Sequence, residues 1–111
     1  METTRQQKIS RLIQKDLGEI FIRESKKLFD GAMITVTTVR ITRDLAIAKV
    51  YLSIFASDDK QALYEKILEH NNEIRYHLGS RIKNQLRSVP ILEFFIDDSL
   101  DYIENIETLL K

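Results

Sequence analysis

The chain has no cysteine, one proline and only three glycines among its 111 residues. Without cysteine there is neither a disulfide framework nor a thiolate metal site, which is compatible with a reducing cytoplasm, the expected location. So little proline and glycine leaves no low-complexity linker, and a chain of this length is expected to be one domain, spanning residues 1–111. No apolar run approaches the roughly 18 residues of a membrane helix, and the opening METTRQQKIS lacks the apolar core of a signal peptide. Net charge is missing too, since 17 bases and 17 acids cancel. A zero sum speaks against a polyanionic partner until the charges are placed along the chain. Residues 1–87 carry 16 bases and 11 acids, an excess of +5, whereas residues 88–111 carry six acids and one base, Lys111. Local fields steer a polyanion more than the sum does.

Catalytic sets are equally scarce. With His70 and His77 the only histidines, a nucleophile–base pair would rest on an isolated serine. The two histidines lie seven apart and could share a helix face, but without a positioned carboxylate they make a poor metal site. They read as surface or kink histidines. Asp97-Asp98 precedes a helical pattern and reads as capping, and no glycine-rich phosphate loop is present. The expectation is therefore a protein that is not an enzyme and holds no metal or cofactor.

What is present is strong periodicity. Ile9, Leu12, Ile13, Leu17, Ile20 and Phe21 mark an amphipathic helix from Thr4 to about Lys27, capped by Thr3 or Thr4. Arg5, Lys8, Arg11 and Lys15 form a basic stripe on its other side, with Asp16 and Glu19 within reach of Arg11 and Lys15. Asp30-Gly31 reads as a turn. AMITVTTVRIT follows as a β-branched strand whose alternation changes phase between Ile34/Val36 and Val39/Ile41, which implies a bulge or burial on both faces. Arg43-Asp44 turns the chain into a second strand, with Ala46, Ala48, Val50, Leu52 and Ile54 on its apolar face, to form an antiparallel hairpin. Ser57-Asp58-Asp59 starts a helix that buries Ala62, Leu63, Ile67 and Leu68.

The stretch HNNEIRYHLGSRIKNQLR, from His70 to Arg87, then carries four bases and one acid. Its Ile74, Leu78, Ile82 and Leu86 recur every four residues, so it reads as a second helix, bent away from the first at Asn71-Asn72 and ending at Ser88-Val89-Pro90. Gly79 inside it suggests a close approach of the sheet or of a ligand. ILEFFID is the third strand, with Phe94 and Phe95 read as core residues. Leu100, Ile103, Ile106, Leu109 and Leu110 stripe a closing acidic helix. The order helix, strand, strand, helix, kink, helix, strand, helix predicts an α+β fold: a three-stranded mixed sheet with helices on one face.

A basic helix entered through a kink suits a phosphate backbone. KH modules clamp nucleotides at such an interhelical turn, usually a GXXG loop, which is absent here. The residues by themselves thus point to an RNA-binding module of open type.

Two segments sharpen this. VRITRDLAIAKVYLSIF (Val39 to Phe55) resembles the signature hairpin of the ribosome-binding factor A family, and RSVPILEFFIDDSLDYIENIETLL (Arg87 to Leu110) resembles its Val-Pro, apolar strand, Asp-Asp-Ser and closing helix. The opening helix and Ile74-Arg75 also fit, so the resemblance covers nearly the whole chain. It implies a KH-like domain of the second topological type and an assembly factor, not an enzyme. Such a factor binds the immature small (30S) ribosomal subunit near the 5′ end of its 16S rRNA and aids maturation, notably in the cold. Where the family usually has Ala-X-Gly at the kink, this chain has His70-Asn71-Asn72. Asparagine tolerates the left-handed backbone that glycine would supply, at some cost. The expected rRNA contacts are Arg5, Lys8, Arg11, Lys15, Asn71, Asn72, Arg75, Arg81, Lys83 and Arg87, with the acidic closing segment facing away and the protein acting as a monomer. Charge reversal at Arg81 and Lys83 is expected to weaken subunit binding and spare the fold. The competing expectation is an adaptor whose last helix and exposed apolar residues dock a partner protein.

Overall fold

A computed structural model describes residues 3–55 and 59–97. The first helix, α1, runs over Thr4–Leu28 and begins at a capping box: the Gln6 amide donates to Thr3 Oγ1 at 3.1 Å and the Thr3 amide to Gln6 Oε1 at 2.9 Å. It ends where Phe29 and Gly31 both donate to the Ser25 carbonyl, with Asp30 and Gly31 in the left-handed region at φ 54° and 79°. The expected turn thus carries a conformation that suits glycine.

Strands β1 (Met33–Ile41) and β2 (Ile47–Phe55) form the antiparallel hairpin, and β3 (Ile91–Ile96) adds parallel to β2, so the mixed sheet has the order β1-β2-β3. The phase change in β1 is a bulge, since Val36 pairs with Leu52 and Thr38 with Tyr51, leaving Thr37 extra. The extra residue returns Val39 and Ile41 to the face of Ile34 and Val36, and all four are buried. The Thr37 hydroxyl donates to Asp97 Oδ2 at 2.8 Å, which ties the bulge to the end of β3. In the hairpin turn, Thr42 Oγ1 accepts the Ala46 and Ile47 amides and donates to Asp44 Oδ1. That hydroxyl and the Ala46 amide hold the Asp44 carboxyl below its ordinary range.

Two helices, α2 (Lys60–Glu69) and α3 (Asn71–Ile82), make the crossover from β2 to β3. With α1 they cover one face of the sheet, where Phe21, Phe29, Val50, Leu52, Ile67, Ile74, Leu78 and Phe94 join one core. Several expectations need correction. Ala46, Ala62 and Leu68 are exposed, and Tyr64 instead packs inward and donates its hydroxyl to the Phe94 carbonyl at 2.6 Å. Phe95 is on the face turned away from α1, α2 and α3, stacked on Tyr51 at 5.3 Å between ring centroids, because strand alternation sends it opposite to Phe94.

The helix–helix break is at His70 alone, not at Asn71-Asn72, and neither asparagine is left-handed. His70 adopts φ −96° and ψ 14°, in the bridge region on the negative-φ side, so no glycine or asparagine is needed to turn there. The basic helix stops at Ile82, five residues before Arg87. Past it, Gln85 and Leu86 both donate to the Ile82 carbonyl, and the chain folds back along the helix it has just left. Gly79 makes room for that return: a Cβ there would lie 2.8 Å from Val89 Cγ2. The close approach is to this loop, not to the sheet or a ligand. Gly79→Ala should therefore fail to stabilise the wild type. In a Val89→Ala background, where the clash is gone, the same change should add up to about 1 kcal/mol by helix propensity, as read from urea unfolding midpoints. The expected closing helix at Leu100–Leu110 and the start at Ser57-Asp58 lie outside the described residues; Asp59, which is described, caps α2 by accepting from the Ala62 amide.

Candidate nucleic-acid interface

The basic stripe of α1 is laid out as the spacing implies. Arg5, Lys8, Arg11 and Lys15 are all exposed, and the first turn holds no acid. A cluster of bases at a helix N-terminus opposes the helix dipole, so helix stability does not account for it. The Gln6 side chain donates to the Ile41 carbonyl and that of Gln14 to the Thr37 carbonyl, so the stripe sits on a helix clamped to β1.

On α3 and in the loop that follows it, the bases divide into two kinds. Arg75 is half-buried and donates Nε to the Pro90 carbonyl at 3.0 Å and Nη2 to the Val89 carbonyl at 2.6 Å. It pins the returning loop. The Asn71 side chain donates to the Leu92 carbonyl at 3.0 Å, fixing the start of α3 to β3. Arg81 faces α1, where its Nη1 bonds Glu19 and lies 3.4 Å from Asp16 Oδ1. The bond from Arg81 holds the Glu19 carboxyl below its ordinary range and raises the guanidinium, and Lys15 adds to the lowering at Glu19. The stability this bridge provides through Glu19 is present above the ordinary carboxylate range and is lost as pH falls through the lowered value. The two acids near Arg11 and Lys15 are thus engaged from α3. His77 Nε2, 3.6 Å from Glu24 Oε1, continues the same seam. His70 is a kink residue, its ring set edge-on against Phe29 and its Nδ1 3.3 Å from Glu73.

The second kind is open. Lys83 and Arg87, in the loop after α3, are exposed and have no ion pair among the described residues. Asn72 is exposed at the other end of the same helix. A groove of about 590 Å³ runs between α3 and the loop, lined by Asn72, Arg75, Tyr76, Gly79, Ser80, Lys83 and Val89. Three of the ten expected contact residues, Asn72, Arg75 and Lys83, come together there. Asn71 and Arg81 do not line it. Tyr76, 72% exposed, is a lining residue that charge counting missed. Its signal was in the sequence, since it falls outside the Ile74, Leu78, Ile82 series and an aromatic off the buried face has no core role.

A family model of ribosome-binding factor A matches residues 5–110. The chain belongs to the ribosome-binding factor A family. It is 44% identical over 111 residues to ribosome-binding factor A of Cytophaga hutchinsonii, covering 100% of this chain and 84% of that protein. It is 47% identical to that of Flavobacterium johnsoniae, covering 99% and 85%. The fold agrees: the crystal structure of ribosome-binding factor A from Thermus thermophilus superposes with a TM-score of 0.66 at 23% identity, covering 82% of this chain and 94% of that one. Coordinates of the Thermus thermophilus factor fitted into the cryo-EM map of its complex with the 30S subunit give 0.59 at 21% identity, covering 88% and 97%. The KH-like α+β architecture is thus that of the ribosome-binding factor A family, here with a one-residue kink at His70.

Proposed function

We propose that the protein is a ribosome-binding factor of the small subunit. It binds the free or immature 30S particle through 16S rRNA, assists late maturation, notably in the cold, and catalyses no reaction. It works in the cytoplasm as a monomeric single domain. The observation that carries this reading is the family match over residues 5–110, together with relatives of that name at 44–47% identity. The α1 stripe and the α3 groove supply cations on two packed helices, with Lys83, Arg87, Arg5, Lys8, Arg11 and Lys15 set against phosphates and Asn72 and Arg75 at the groove. Asn71 and Arg81 support the surface from within. Any role of the acidic closing segment falls outside the described residues.

The test is co-sedimentation of the purified protein with isolated small subunits, large subunits and joined ribosomes at two salt concentrations. Selective pelleting with the small subunit, falling steeply with salt, is the expected result. A second reading has one observation behind it: an apolar groove of about 430 Å³ between α1 and β1, with Ile22 and Met33 exposed at its rim. That suits a protein-docking adaptor, whose apolar contact would be insensitive to salt. Absence of pelleting with any particle by a folded protein would move the assignment to that groove.

A further inference from the structure

We propose that the groove between α3 and the returning loop is a single-stranded nucleotide site, with the Tyr76 ring as the stacking platform and Lys83 and Arg75 as the phosphate side. This rests on the RNA-binding reading above and makes it specific. Tyr76 leaves 72% of its surface open, and its one ring neighbour among the described residues is the adjacent His77, edge-on at 5.9 Å. Its face is therefore not engaged in the core or in another stack. Asn72, Tyr76 and Ser80 are spaced four apart, so they form one stripe along α3, and Lys83, the residue that follows its last turn and keeps a right-handed helical backbone, extends that line. The ring is flanked along that stripe by an amide on one side and a hydroxyl and an ammonium on the other.

The floor of the groove is rigid. Arg75 donates to two loop carbonyls, which holds its guanidinium in place with further N–H donors unused by those two bonds. Gly79 lets Val89 close against the helix, so the loop forms a wall of the groove that the ring also lines. An aromatic face, a fixed guanidinium and an exposed ammonium within one groove match the base and the phosphate of one nucleotide. A base already stacked in a duplex has no free face to offer, whereas an unpaired base does. The site therefore selects unpaired RNA.

The test uses the full chain and a short fluorescent single-stranded RNA of mixed sequence, with the duplex of the same sequence as comparison. The wild type should bind the single strand more tightly. Tyr76→Ala should weaken that binding roughly tenfold, the order of one stacked base, with the salt dependence unchanged because stacking releases no counterions. Tyr76→Phe, which keeps the ring, should bind within about twofold of wild type. Lys83→Ala should instead flatten the salt dependence by about one unit of slope. Circular dichroism should show every variant folded, since the Tyr76 ring buries little. Wild-type affinity in Tyr76→Ala, or equal affinity for the duplex, overturns the stacking site. If that happens while Lys83→Ala still weakens binding and the protein still pellets with small subunits, the RNA-binding reading survives without the platform. Loss of wild-type binding to both the RNA and the subunit overturns both.

Discussion

Replacing Lys83 and Arg87 together with glutamate should weaken binding to isolated small subunits by about 25- to 60-fold near 0.1 M salt. Each cation set on a phosphate releases counterions, so the logarithm of affinity changes by about 0.7 per decade of salt for each contact with an unpaired strand and about 0.9 for each contact with a duplex. Extrapolated to molar salt, where that release gains nothing, one contact is worth about five- to eightfold at a tenth of the concentration. Two contacts multiply, and reversal adds repulsion to the loss. The slope of affinity against salt should fall by about two units as well. Stability should stay within about 0.5 kcal/mol of wild type, because both side chains are exposed, lie past the end of α3 and hold no ion pair among the described residues. Full-strength pelleting by the double variant would remove both residues from the interface.

Arg81 behaves differently despite lying two residues from Lys83. Arg81→Glu puts a third carboxylate against Asp16 and Glu19, where the wild type has the cation that joins α3 to α1. Thermal midpoint and subunit binding should fall together, and acidification, which neutralises the opposed carboxylates, should narrow the gap in midpoint from wild type. An Arg81→Glu variant that melted like wild type yet bound poorly would return Arg81 to the contact surface. The structure thus moves the informative charge reversal from Arg81 and Lys83 to Lys83 and Arg87.

The reason lies in which interactions a sequence can display. The α1 period, its Thr3 cap and the β1 phase change are local patterns, and each became a structural element where it was read. The break at His70 leaves no such mark. Its amide still donates to the Lys66 carbonyl and its carbonyl still accepts from Ile74, so the turn needs no special residue. The end of α3 is hidden for a related reason: Leu86 keeps the four-residue spacing of Ile82 and reaches the same core from a loop. Charges were legible as charges, but their partners were not. Arg75 bonds carbonyls 14 and 15 residues away, and Arg81 reaches acids 62 and 65 residues back. Backbone carbonyls carry no sequence signature, and pairing across 60 residues needs the fold first.

Phe21→Ala should cost about 3–5 kcal/mol, the largest stability loss expected of a single truncation in this core. Phe21 is 1% exposed and sits where α1 meets both its own C-terminal turn and the sheet. Its ring lies 5.6 Å from that of Phe29 and 6.1 Å from that of Phe94, the latter edge to face. Truncation removes the transfer free energy of the ring, leaves a cavity among rigid neighbours, and forfeits two aromatic pairs worth about 0.5–1.5 kcal/mol each, in part already counted in the total. A domain of this size has roughly 5–15 kcal/mol in all, so the variant should melt about 15–30 °C lower. Below its melt, Phe21→Ala should still pellet with small subunits, because Phe21 faces the core and the α1 stripe faces outward. Lys83→Glu/Arg87→Glu should lose binding and keep its melt, and Phe21→Ala should do the reverse. A Phe21→Ala protein that melts within a few degrees of wild type would show that α1 is held to the sheet chiefly elsewhere along its length, through Ile13 and Leu17, and that the aromatic cluster is not the centre of the core.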